Sequence, residues 1–145
     1  MEILAGTVVS GDWTSLRADN TVDNSYLQIK STLVGTMYTV EWYGEAATGL
    51  LPNQVSQLSL TYDGHYSRFV GQNLFMYDFV SGGWVVPGNT YMNISVVDTT
   101  VGPITMANPA RYISPEGRVR AKVYASSLDN TLQGYGDFIK FTITK

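Results

Sequence analysis

The chain has no cysteine, one histidine, and charged residues at only 14% of its 145 positions. Without cysteine there is no disulfide, no thiolate nucleophile and no thiolate metal centre, so stability has to come from a buried core. A chain this long with 44% hydrophobic residues can build one, and disorder is not the reading. The single histidine, His65, leaves no imidazole pair for a zinc site, and any Ser-His-Asp triad would have to recruit it. No nucleophile elbow and no phosphate-binding glycine loop occurs. Glycoside hydrolysis needs only a pair of carboxylates, but none of the 12 acidic residues stands out as such a pair. The composition therefore reads as a protein that is not an enzyme.

Basic runs are missing as well. The net charge is −3, and no cluster of Lys and Arg offers nucleic acid a footprint. No uninterrupted apolar stretch approaches the roughly 20 residues that span a bilayer, so membrane insertion is not expected. A basic segment leading into an apolar one, the mark of a secretory signal, is also lacking. Neutral polar residues take the place of charge, and that composition suits an extracellular or cell-surface protein that meets glycans or neighbouring copies.

What is present is a series of short strands punctuated by turn residues. Leu74 to Pro87 places two aromatic-rich runs on either side of Ser81-Gly82-Gly83, which predicts a β-hairpin. Period-two alternation predicts further strands at Ile3 to Val9, Tyr26 to Ser31, Thr36 to Tyr43 and Gln57 to Asp63. Others follow at Tyr91 to Asp98, Gly117 to Ala125 and Asp137 to Thr144. Within these, Leu58, Leu60 and Tyr62 share one face; so do Met92, Ile94 and Val96; and Val119, Ala121 and Val123 point inward against a solvated Arg118, Arg120 and Lys122. One short helix is expected, around Asn53 to Leu58 after Pro52. About 8–9 strands in one unit spanning residues 1–145 predict an all-β, antiparallel β-sandwich. Of three long connections, Gly11 to Ser25 and Glu45 to Val55 are where function is expected to sit, and Thr99 to Glu116, with its three prolines, is expected to cover a sheet face or edge.

Two kinds of chemistry are written into these connections. Asp19, Asn20, Asp23 and Asn24 crowd oxygen donors into the first of them, a composition that suits Ca²⁺ and equally suits self-bonded Asx turns. Aromatic rings are the second signal, with ten tyrosines and three tryptophans. Sugars stack their C–H faces on such rings while Asn, Asp, Gln and Arg bind the hydroxyl groups. Trp13, Tyr43, Tyr62 and Tyr66 lie in or next to predicted turns, and with His65 and Arg68 they form the candidate ligand-binding set. Trp13 and Tyr66 are the rings expected to be most accessible. Trp42 alternates with Val40 and Tyr38 and is assigned to the core, and Trp84 is expected to pack across its hairpin on Tyr77 or Phe79.

Four segments, VVSGDWTSLRADN, LTYDGHYS, LFMYDFVSGGWV and GRVRAKVYASS followed by DFIKFTIT, together resemble the jelly-roll, galactose-binding-like accessory modules of secreted bacterial proteins. That resemblance implies a jelly-roll sandwich, a non-catalytic role and, in many members, a structural Ca²⁺ near the chain ends. It puts Asp137 at the acidic position that opens the last strand, and leaves Glu2 as the acidic residue of the first. The implied partner is carbohydrate or a cell-surface glycan, bound by loops at one end of the sandwich. The rival reading is a structural or assembly protein, an appendage, phage or scaffolding domain, that forms a homo-oligomer or belongs to a larger multidomain parent.

Overall fold

The computed structural model describes residues 1–17, 26–88 and 90–145. Among the described residues, twelve strands form two antiparallel sheets. The larger contains β1 (Glu2–Ala5), β4 (Thr32–Val34), β5 (Met37–Ala47), β7 (Val70–Asp78), β8 (Gly83–Val85), β9 (Met92–Ile94) and β11 (Arg118–Ser127), ordered β1-β5-β11-β7-β8 with β4 beside β5 and β9 beside β7. The smaller runs β10-β6-β12-β3-β2, with β2 at Thr7–Ser10, β3 at Leu27–Lys30, β6 at Gln57–Tyr66, β10 at Thr99–Thr105 and β12 at Gln133–Thr144.

Alternation explains the packing. Val119, Ala121, Val123 and Ala125 of β11 join Leu58, Leu60 and Tyr62 of β6 in one buried cluster that also holds Trp42, Leu74 and Met76. The expected hairpin is present, with Tyr77 opposite Trp84 and their rings edge-to-face at 5.2 Å. Trp42 is buried as its alternation required. The run from Ile3 to Val9 is not one strand. Gly6, at φ +117°, breaks it so that β1 joins the larger sheet and β2 the smaller; a Cβ there would lie 2.6 Å from the Ile29 side chain.

Other expectations are corrected. The predicted helix near Asn53 is a single 3-10 turn, Pro52–Gln54, because β6 already claims Gln57 onward. Tyr91 to Asp98 contains only the short β9, and its supposed apolar face is split: Ile94 is buried while Met92 and Val96 are exposed. The long connection after Thr99 begins with an edge strand, β10, paired to β6. Arg118, Arg120 and Lys122 do lie on the outer face, but each is bonded to a glutamate, Glu45 or Glu41, and not simply solvated.

Candidate functional site

The site is built from a tightly capped turn at one margin of the sandwich. Asp12 Oδ1 accepts from the Thr14 amide at 2.7 Å, and Ser15 Oγ accepts from the Asp12 amide at 3.3 Å, closing a 3-10 turn over Trp13–Leu16. Leu16, buried, anchors this turn over Gly136 of β12, where a Cβ would stand 3.0 Å from the leucine. Trp13 at the outer end of the turn is left 51% exposed, and Arg17 lays its guanidinium 3.9 Å from the indole centroid.

Beside this pair the two sheets part. Trp13, Leu16, Arg17, Gly44, Glu45, Ile139 and Phe141 line a cleft of about 560 Å³. A second hollow of about 450 Å³ shares Ala46, Ile139 and Phe141 with it and continues along β12 past Lys140 to Ile143. The floor is apolar because Ile139, Phe141 and Ile143 alternate inward on β12, as their spacing predicts. Glu45 on the wall is fully engaged: Oε1 accepts from Arg118 at 2.7 Å and Oε2 from Arg120 at 2.5 Å. Burial pushes its carboxyl up, but the two guanidiniums outweigh that and hold it below the usual range. An aromatic side chain at the mouth, an apolar floor and a few polar groups make a surface that can hold a small amphipathic ligand.

The other sequence-predicted residues separate. Tyr62 and Tyr66 are each only 1% exposed, so neither offers a ring to a ligand, and the expectation for Tyr66 is overturned. The Asp63-Gly64 pair that reads as a turn lies inside β6, whose inward alternation runs on through Tyr62 and Tyr66. Burial pushes both hydroxyls far above the ordinary tyrosine value. Tyr43 is half-buried on the outer face of the larger sheet, where its hydroxyl donates to Glu2 Oε2 at 2.5 Å and its ring lies 5.5 Å from that of Trp84. Arg68 binds Asp129 and donates to Thr131 Oγ1 at 2.7 Å, tying down the loop before β12. His65 lies on the outer face of the smaller sheet, stacked on Tyr135 at 4.5 Å with Nδ1 2.6 Å from Asp98 Oδ1. Tyr26 donates to the other Asp98 oxygen at 2.7 Å, a bond that together with burial pushes its hydroxyl up to about 12.

The calcium set is divided in the same way. Asp19, Asn20 and Asp23 fall outside the described residues. Asp137 sits in a bulge of β12 in the smaller sheet, whereas Glu2 belongs to β1 of the larger and bonds Tyr43. Among the described residues no three acidic or histidine side chains are grouped to hold a metal. Arg17 and Glu45, which line the cleft, and Lys140, which lines the adjoining hollow, are absent from the sequence-based set. The four-residue step from Trp13 to Arg17 and the alternation of Lys140 with Ile139 and Phe141 were the available signals.

No family model matches the chain, and no curated protein is similar to it in sequence. Two of the solved structures that align with it cover most of its length. One is TmCBM61 in complex with β-1,4-galactotriose, with a TM-score of 0.51 and 14% identity over 93% of this chain and 86% of that one. This chain and that one share a fold. The other is a CBM4 structure, with a TM-score of 0.46 and 14% identity over 90% of this chain and 92% of that one. At this identity the likeness is one of fold: two antiparallel sheets packed as a jelly-roll sandwich. No helix among the described residues is long and apolar enough to cross a membrane.

Proposed function

We propose that the chain is a non-catalytic recognition module that binds carbohydrate in the cleft beside Trp13. The observation that carries this reading is the indole itself, half exposed at the mouth of an apolar-floored cleft on a fold of the carbohydrate-binding type. A sugar ring laid against the indole buries its C–H face, and Arg17 supplies donors to its hydroxyl groups. The setting in which such a module meets polysaccharide is extracellular or on a cell surface. An open cleft of this kind holds a single sugar weakly, because ordering costs consume much of the gain, and repeated copies or repeated sugars raise the avidity. Calcium belongs to the proposal through Asp137 and the segment 18–25.

The test is retardation in native gels cast with a panel of soluble polysaccharides, with calcium and with chelator. Trp13→Ala is expected to weaken retardation about tenfold or more, as for other tryptophan anchors, without lowering Tm. A chain retarded by no polysaccharide, or one retarded equally after Trp13→Ala, removes the cleft as a carbohydrate site. Retardation or Tm unmoved by chelator removes the calcium.

A further inference from the structure

Resting on the reading of the cleft as a carbohydrate site, we propose that it selects an anionic saccharide, one bearing carboxylates such as uronic acid residues. The argument is a charge inventory. Of the nine Lys and Arg residues, Arg68, Arg111, Arg118, Arg120 and Lys122 are ion-paired, to Asp129, Asp78, Glu45 and Glu41. Two of the four others, Arg17 and Lys140, line the joined hollows, and the described carboxylate that acts on Arg17 is Asp12 of its own turn. The acidic residue on the same wall, Glu45, is neutralised by Arg118 and Arg120. Among the described residues, Arg17, Lys140, Arg118 and Arg120 outnumber Glu45 and Asp12 around the cleft, in a protein whose net charge is −3.

Range decides between the two. At physiological ionic strength the screening length is about 8 Å, so distant carboxylates contribute little, and among the described residues the nearby cations outnumber the nearby carboxylates Asp12 and Glu45. Arg17 presents a planar fork of five donors that matches a carboxylate bidentately, and stacking on Trp13 pre-orders it. A neutral sugar uses little of that geometry. Sulfated chains suit it less, because they call for a dense basic patch, whereas Arg17 and Lys140 line different hollows.

The experiment compares retardation by polygalacturonate, neutral β-1,4-galactan and a highly sulfated glycan, using the full chain and the variants Arg17→Gln, Lys140→Gln and Trp13→Ala. Polygalacturonate is expected to retard the protein at the lowest concentration, with Arg17→Gln weakening that about tenfold, the loss of a hydrogen bond to a charged group. Lys140→Gln is expected to weaken it several-fold, and Tm stays unchanged in both. Galactan binding equal to or tighter than polygalacturonate, a sulfated chain ahead of both, or unaltered binding in the charge variants overturns the selectivity. If galactan binds and Trp13→Ala abolishes it, the carbohydrate reading survives while this inference falls. If nothing binds, both fall.

Discussion

Tyr66 shows most sharply how one residue's setting decides its role. Its hydroxyl donates to Gln72 Oε1 at 2.7 Å inside the core, and the Gln72 amide nitrogen, also buried, has no partner among the described residues. A buried polar group that loses its only partner costs about 1–3 kcal/mol, whereas removing both members together is nearly neutral. Tyr66→Phe is therefore expected to lower stability by an amount in that range, and adding Gln72→Leu to recover most of it. Chemical denaturation of the two single variants and the double variant measures this; additive losses would mean that the pair is not coupled. Trp13 and Trp42 were legible in sequence because the first lies in a long predicted connection and clean alternation flanks the second. Tyr66 was not, because Asp63-Gly64 is a turn signal in isolation. Here Gly64 is required inside the strand, where a Cβ would lie 2.4 Å from the Tyr135 carbonyl oxygen and 2.5 Å from the Tyr62 hydroxyl.

At the scale of elements, the strands themselves were legible because each buries one face, while their ends and breaks were set by partners remote in sequence. The hairpin tip between β7 and β8 illustrates this. Asp78 Oδ1 accepts from the amide of Val80 at 2.9 Å, and Oδ2 accepts from Arg111 Nε at 3.1 Å and from a terminal guanidinium nitrogen at 2.5 Å. Arg111 comes from the 3-10 turn Pro109–Tyr112, whose docking here no local pattern announces. The Arg111 hydrogen bond, outweighing burial, holds the Asp78 carboxyl well below the usual range. Because the folded-state value lies below the unfolded one, this contribution is full above the unfolded value and is lost as pH falls below about 4. Asp78→Asn is expected to lower Tm near neutrality and to flatten the acid limb between pH 5 and about 2. Thermal scans across that range check it, and an unchanged acid limb would remove Asp78 as a contributor.

For the whole molecule, the open question between recognition and assembly turns on the edges. β2 and β4 are short edge strands without charge, and Val8, Val9, Leu33 and Val34 are 40–57% exposed. That is the surface a self-assembling shell would use. Yet β4 has only three residues, and β2 is bulged between Val8 and Ser10, which spoils its ladder for a second chain. The expected state at micromolar concentration is therefore a monomer, measured by sedimentation velocity; a concentration-independent oligomer would favour the structural reading. The position of β12 has a consequence of another kind. It is the middle strand of the smaller sheet, pairing with β6 on one side and β3 on the other, yet it is drawn from Gln133–Thr144. A ribosome delivers it after every other strand of the fold. Until it emerges, β3 and β6 have no neighbour between them, so the sandwich closes in one late step, and a nascent chain arrested before residue 133 exposes half of its core to chaperones.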